Sequence, residues 1–324
     1  MRGRSRGQGR MKRKHATIAV RLAGAGLVLV FLWLTYRYFD GEELLRQLHL
    51  LLQRPDTLVW MLLIYGASFW LRALAWKLYV GKPISLVVYS KGIFFSLFIN
   101  HLAPFKVGDI ARVAVLAKQK DVSVDEAVHS VAVMRLLDML VLCLLSAWGM
   151  YAYVHRFPAI SATVIGVVGI VGVAAIVILL SRKSDAEWIR KHHRMIKSAL
   201  RGKRGVYVAG ITALSWLCEA VVIYEMAHML GLPLSFWESV WVNSITVSGQ
   251  VFQIAPGGLG TYEAVMAFAI TRIVLDWNSA YMAAMMTHTF KFVFSYFVGV
   301  AVLFTSPKAI SFMWAAFQKG RERQ

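Results

Sequence analysis

Long apolar runs, separated by short polar segments rich in basic residues, dominate the chain. Runs long enough to cross a bilayer as helices lie at about 16–36, 57–80, 127–154, 159–181, 205–230 and 278–305. A bilayer core requires about 20 predominantly apolar residues per helix. The pattern therefore predicts an all-α integral membrane protein with about six full spans.

Two further apolar stretches, near 85–117 and 236–275, are interrupted by proline and glycine. Pro104 and Gly108 interrupt the first stretch. The second stretch is interrupted by Pro256, Gly257, Gly258 and Gly260. Irregular backbone at membrane depth is tolerated only where protein or a water-filled cavity covers it. Each stretch is therefore predicted to be a re-entrant hairpin or broken helix, and ordinary spans joined by a surface turn remain the alternative.

The composition identifies the environment of these helices. Of the 324 residues, 58% are hydrophobic and only 16% are charged, yet the formal net charge is +19. In a soluble protein such a charge would suggest nucleic-acid binding. Here the cations flank the apolar runs, which indicates contact with the anionic cytoplasmic face of a membrane. We therefore expect membrane phospholipids, and no nucleic acid, as partners.

The distribution of lysine and arginine predicts the topology, because cytoplasmic loops carry an excess of these residues. The tail 1–15 has seven basic residues and no acid, and the segment 182–204 has nine basic residues and two acids. The segment 37–56 has three basic residues against four acids, which is typical of the outer side. Both tails, 1–15 and 306–324, and the loop 182–204 are therefore predicted to be cytoplasmic.

The Pro/Gly breaks recur as an internal repeat. The sequence Leu-Ala-Pro104 precedes Gly108 by four residues, and Ile-Ala-Pro256 precedes Gly260 by the same offset. In the predicted topology the first hairpin enters from the cytoplasm and the second from outside. The chain is therefore predicted to be an inverted repeat of 16–154 and 155–305, an architecture typical of alternating-access carriers.

Polar pairs follow each break at matching distances. Arg135 and Asp138 lie 31 and 34 residues after Pro104, while His288 and Lys291 lie 32 and 35 residues after the second proline. Each charge inside a span costs about 2.5–3.5 kcal/mol on insertion scales and by default marks a transport pathway. These residues are therefore candidates for a polar site near the membrane centre.

Three motifs resemble a known family. The sequences NHLAPFKVGDIAR at 100–112, RLLD at 135–138 and PGGLGTYE at 256–263 are similar to those of the lysylphosphatidylglycerol synthase transmembrane family. This is the flippase-like membrane half of the multiple peptide resistance factor, and the resemblance covers roughly 20–305. By analogy, five residues become candidates for a lipid-headgroup pathway: Asp109, Arg112, Arg135, Asp138 and Glu263.

The resemblance implies a multi-pass protein of the bacterial inner membrane that transports anionic or aminoacylated phospholipids, with a link to antibiotic and cationic peptide resistance. Full-length family enzymes carry a soluble acyltransferase domain after the membrane part, whereas this chain ends 19 residues after position 305. We therefore expect lipid transport without catalysis. The alternative is a phosphatidylglycerol lysyltransferase function that depends on a separate soluble synthase.

The full set of predicted pathway residues consists of these five charged residues, prolines and glycines from the two breaks, and further polar residues near them. It comprises Asn100, Pro104, Gly108, Asp109, Arg112, Arg135, Asp138, Glu219, Pro256, Gly258, Gly260, Glu263, His288 and Lys291. The cations are expected to hold the lipid phosphate together with the unpaired N–H groups of the broken helices. The acids are expected to keep these cations paired when the site is empty.

Several of these residues have structural explanations that the sequence leaves open. Arg135 and Asp138, one helical turn apart, are able to form a simple ion pair. Lys291 requires an acid from another helix, with Glu219 and Glu263 as the candidates. His288 is either a hydrogen-bonded core histidine or a proton relay.

Two residues outside the set are expected at the membrane surface. Arg72 is predicted to reach lipid phosphate from the cytoplasmic part of its span. Trp216 is predicted to join an interfacial aromatic belt.

Signatures of cofactor chemistry are absent from the sequence. It has no nucleotide-binding Gly-x-x-x-x-Gly-Lys-Ser/Thr motif, and His192-His193 is too isolated for a zinc site. No cofactor, metal or catalytic residue is therefore predicted. A carrier of a small soluble anion, with a cavity open only to water, remains a further alternative.

Overall fold

The computed structural model describes residues 41–103, 107–153, 202–250 and 255–305. Within these ranges the regular elements are nine α-helices and one 3-10 turn at Pro256–Gly258. The helices are α1 (Gly41–Leu52), α2 (Pro55–Val80), α3 (Leu86–Leu102), α4 (Gly108–Leu116), α5 (Val124–Tyr153), α6 (Lys203–Met229), α7 (Phe236–Gly249), α8 (Thr261–Val274) and α9 (Trp277–Thr305).

Several predictions fall outside the described residues. They concern the spans at 16–36 and 159–181, both tails, Pro104 and most of the loop 182–204.

Four of the described helices, α2, α5, α6 and α9, are long and apolar enough to span a membrane. They have 26 to 30 residues each, which corresponds to about 39–45 Å at 1.5 Å per residue and exceeds a hydrocarbon core of about 30 Å. Their ends differ from the predicted spans by no more than three residues. The prediction of an all-α membrane protein is confirmed, while the total number of spans and the cytoplasmic side stay predictions.

Each Pro/Gly stretch consists of two shorter helices that pack against one another, α3 with α4 and α7 with α8. A Cβ atom at Gly108 would lie only 2.2 Å from the carbonyl oxygen of Ser96, so α4 begins in close contact with α3. In the second break, Gly257, Gly258 and Gly260 all have positive φ angles, which only glycine adopts readily. The helix breaks are confirmed, and their depth in the membrane stays a prediction.

A second repeated motif precedes each broken stretch, and sequence reasoning missed it. Gly81-Lys-Pro-Ile-Ser85 and Gly231-Leu-Pro-Leu-Ser235 are 150 residues apart. Both glycines have φ angles near 70° and end a long helix, while each serine hydroxyl accepts a hydrogen bond from the backbone of the following helix. The two halves therefore share the turn as well as the break.

The two halves pack reciprocally. Helices α2 and α6 run antiparallel, since the start of α6 meets the end of α2 through the bond from Arg204 Nε to the carbonyl of Leu78 (2.7 Å). Helix α3 of the first half packs against α9 of the second, and α7 of the second packs against α5 of the first. The last span of each half thus contacts the broken helix of the other half.

Glycines permit both exchanged contacts. A Cβ at Gly299 would lie 2.3 Å from the ring of Phe98, and one at Gly149 would lie 2.3 Å from the ring of Trp241. The apolar core also contains Tyr65 and Phe294, whose ring centres lie 4.8 Å apart. A large aromatic ring therefore fills the space beside each glycine.

Candidate functional site

A partly open cavity lies where the two halves meet, and its volume is about 720 Å³ when the open space at its mouth is included. Its described lining includes four cationic side chains: Arg72, Arg112, Arg135 and Lys291. Glu219 is the one acid of that lining, so the described wall has three more cationic than acidic side chains. A wall of this charge, inside apolar helices, suits an anionic ligand.

Glu219 on α6 bridges two of the cations in the middle of the cavity. Its Oε1 accepts a hydrogen bond of 2.7 Å from Lys291 Nζ, and its Oε2 accepts one of 2.5 Å from Arg72. All three side chains are at least nine-tenths buried. Lys291 also donates to Asn243 Oδ1 at 3.3 Å. Of the two acids that the sequence offered as partners of Lys291, Glu219 makes the pair.

The surface roles expected for Arg72 and Trp216 are wrong. Arg72 is 7% exposed and its guanidinium lies 3.8 Å from the ring centre of Trp216, which is also buried. The cause is the antiparallel packing of α2 on α6, which points this face of α2 at Ser215 and Glu219 and away from lipid. The indole Nε1 of Trp216 donates to Asp138 Oδ1 at 3.1 Å.

The charges of the first half form a second cluster at the start of α4. Arg135 Nε lies 2.9 Å and 2.8 Å from the two carboxylate oxygens of Asp109. The pairing of Arg135 with Asp138, suggested by their one-turn spacing, is looser at 3.9 Å. Arg112 is buried, its Nε lies 3.6 Å from Asp109, and that nitrogen has no hydrogen-bond partner within the described residues.

The first break is held by a side-chain contact. Asn100 Oδ1 accepts a hydrogen bond of 2.8 Å from the backbone N–H of Gly108, the first residue of α4. This contact ties the end of α3 to the beginning of α4. Asn100 and Arg112 line the cavity beside this junction.

The second break is held by a buried pair, Glu263 on α8 and His288 on α9. His288 Nδ1 lies 2.6 Å from Glu263 Oε1, and His288 Nε2 lies 3.1 Å from the carbonyl oxygen of Gly257. The other oxygen of Glu263 accepts from the N–H of Gly260 at 2.8 Å. Tyr262 stacks on the histidine ring with centroids 4.1 Å apart. Pro256 and Gly258 belong to the 3-10 turn beside this pair.

The acids and cations occupy different positions relative to the cavity. Asp109, Asp138 and Glu263 lie outside the described lining, whereas the four cations belong to it. Each of the four cations has a nitrogen no more than 3.6 Å from a carboxylate oxygen of Asp109 or Glu219, which reduces the cost of burying it. The buried cations are therefore paired with acids and at the same time face the cavity.

Sequence reasoning missed several polar residues of the cavity. Ser96 Oγ and Tyr262 OH are buried donors without a hydrogen-bond partner within the described residues. His101 also lines the cavity and its Nδ1 donates to the carbonyl of Leu97 at 2.9 Å. Single hydroxyl and imidazole groups give no spacing signal, so only the tertiary packing reveals them. Among the described residues no cluster of histidine, cysteine and acids could hold a metal ion.

Comparison with known proteins gives one clear result. Residues 19–299 match the family described as the lysylphosphatidylglycerol synthase TM region. The match covers most of the chain and includes every cavity residue discussed above. No curated protein matches the sequence.

Proposed function

Because the chain belongs to the lysylphosphatidylglycerol synthase transmembrane family, we propose that it is a flippase-like transporter that moves phospholipid headgroups across the bacterial inner membrane. The observation that carries this proposal is the cavity between the two halves, whose described wall holds four cations and one acid. Ionisable residues inside membrane helices are costly and by default mark a substrate pathway.

In the proposed mechanism, the lipid phosphate enters the cavity while its acyl chains stay in the bilayer. Arg112, whose buried Nε has no hydrogen-bond partner among the described residues, and Arg135 bind the phosphate near the first turn of α4. Lys291 then takes part, because a phosphate competes with Glu219 for its ammonium group. Glu219 restores its ion pairs with Arg72 and Lys291 when the headgroup leaves.

The inverted relation of the two halves suggests how the headgroup moves from one side of the membrane to the other. The repeated turns, the repeated breaks and the exchanged packing of α3 on α9 and α7 on α5 support an inverted repeat of six spans and two re-entrant hairpins. Such halves exchange conformations around a central site and open it alternately to each side. Both termini then face the cytoplasm.

Reconstitution tests this function. The purified protein is placed in liposomes with fluorescent phosphatidylglycerol, lysylphosphatidylglycerol or phosphatidylethanolamine, and headgroup movement is measured by quenching from outside. We expect transport by the wild type, loss of transport in Arg112→Gln, and full transport in Arg272→Gln. The control removes an exposed arginine at the end of α8. Size-exclusion profiles of both variants separate lost activity from lost folding.

Two results contradict the proposal. Equal movement of all labelled lipids in wild-type and protein-free liposomes excludes transport by this chain. Uptake of soluble glycerol phosphate without movement of any lipid identifies a carrier for a small soluble anion instead.

A further inference from the structure

Both ring nitrogens of His288 face hydrogen-bond acceptors. Nε2 lies 3.1 Å from the backbone carbonyl oxygen of Gly257, and Nδ1 lies 2.6 Å from the carboxyl oxygen Oε1 of Glu263. The histidine and the acid are both nine-tenths or more buried. These distances fix how many protons the pair carries.

A neutral imidazole has one donor nitrogen and one acceptor nitrogen. The Gly257 carbonyl only accepts, so Nε2 must carry a hydrogen to bond to it. A second proton is then required between Nδ1 and Oε1, either on the imidazolium, which donates to the carboxylate, or on the carboxylic acid, which donates to Nδ1. In both cases the pair holds one proton more than a neutral histidine beside an ionised glutamate.

Loss of that proton removes one of the two contacts. If Nε2 keeps its hydrogen, the lone pair of Nδ1 faces the ionised Glu263 and this contact becomes repulsive. If the hydrogen moves to Nδ1, the lone pair of Nε2 faces the Gly257 carbonyl instead. His288 therefore binds α9 to both α8 and the 3-10 turn only while the proton is present.

We propose that His288 and Glu263 form a proton-binding site, and that proton release from this pair frees the second broken helix and couples lipid movement to a proton gradient. The coupling rests on the proposed transport function, whereas the proton site stands without it. In each transport cycle the pair takes up one proton and later releases it, and no other reactant takes part.

The groups around the pair provide a route for the proton. His101 on α3 lines the cavity, and its ring centre lies 6.4 Å from that of His288. Tyr262 on α8 covers one face of the histidine. Lys291, one turn along α9, is paired with Glu219 on α6, and this acid offsets part of the positive charge near His288. A proton entering the cavity reaches His288 past His101.

The isosteric change Glu263→Gln tests the proton site with little change in shape. The glutamine oxygen accepts from the N–H of Gly260, its amide donates to His288 Nδ1, and Nε2–H still donates to Gly257. All three contacts remain, and the labile proton is gone. The control Glu238→Gln changes an acid with the same capping role, since Glu238 accepts from the backbone N–H of Ser235 at the start of α7.

Two readouts separate the proton site from transport. Nitrogen-15 spectra of labelled histidine, assigned with His288→Gln, report the protonation of each ring nitrogen over roughly pH 5 to 9, the range in which histidines titrate. Lipid movement in liposomes is measured with and without an imposed pH gradient. We expect the wild type and Glu238→Gln to show a pH-dependent Nδ1 signal and gradient-stimulated transport, and Glu263→Gln to lose both.

Each other outcome overturns part of the proposal. An Nδ1 signal of His288 that does not change over the range, or that is the same in Glu263→Gln, excludes the proton site. A titrating site with transport that ignores the gradient excludes the coupling. Wild-type protein that moves no lipid at all refutes the transport function, while the spectra still decide whether the pair binds a proton.

Discussion

Replacing Glu219 with glutamine should destabilise the protein more than removing one of the cations that it binds. Glu219 accepts hydrogen bonds from Arg72 at 2.5 Å and from Lys291 at 2.7 Å, and all three side chains are buried. Glu219→Gln leaves two buried cations facing a neutral amide. Lys291→Met, in contrast, leaves the pair of Arg72 and Glu219 intact.

The expected losses in the free energy of unfolding follow from these contacts. Removing one partner from a buried ion pair costs about 3–5 kcal/mol, so we expect Glu219→Gln to lie in or above this range. Lys291→Met removes one charge-assisted hydrogen bond, worth about 1.5–3 kcal/mol. The double variant leaves only Arg72 without its acid, so it should be no less stable than Glu219→Gln alone.

Thermal unfolding of the purified protein in detergent measures this order. We expect Tm to fall from the wild type through Lys291→Met to the double variant and then to Glu219→Gln. Glu42→Gln, on an exposed face of α1, should remain close to the wild type. A larger loss in Lys291→Met than in Glu219→Gln, or losses that simply add in the double variant, would refute the bridging role of Glu219.

The remaining predictions concern the first cluster and the exchanged contacts. Arg135→Gln should lower protein abundance, and adding Asp109→Asn should restore part of the abundance but not lipid transport, because the second change neutralises the acid that bound Arg135. Recovery of both abundance and transport would make Arg135 purely structural. Gly299→Ala should lower the free energy of unfolding by about 1–3 kcal/mol, because its new methyl group meets the Phe98 ring. The control Gly210→Ala has open space around its Cβ and should leave the free energy of unfolding unchanged or raise it.

Hydropathy and chain-breaking residues predicted the elements of this fold well. The four described spans begin and end within three residues of the apolar runs, because a membrane helix requires a fixed length of apolar sequence. The breaks near Gly108 and Gly260 were predicted from proline and glycine alone. The partner of Lys291 was narrowed to two candidates, Glu219 and Glu263, since few acids lie inside the apolar runs, and the structure selects Glu219.

Sequence spacing could not predict which charges meet across helices. It suggested Asp138 as the partner of Arg135, because the two are one turn apart, whereas Asp109, 26 residues earlier, makes the closer contacts. It placed Arg72 at the membrane surface, because no acid lies within one or two turns of Arg72 on its own helix. The partner of Arg72 lies 147 residues later, and only the packing of the halves brings them together.

This separation of Arg72 from its partner has a consequence for biosynthesis. A ribosome completes α2 long before it produces α6, so the newly inserted first half contains an arginine whose hydrogen-bonding partners Ser215 and Glu219 have not yet been made. The first half also lacks Trp241, whose ring packs against Gly149. The helices of the first half therefore cannot reach their final arrangement until the second half has been made and has entered the bilayer.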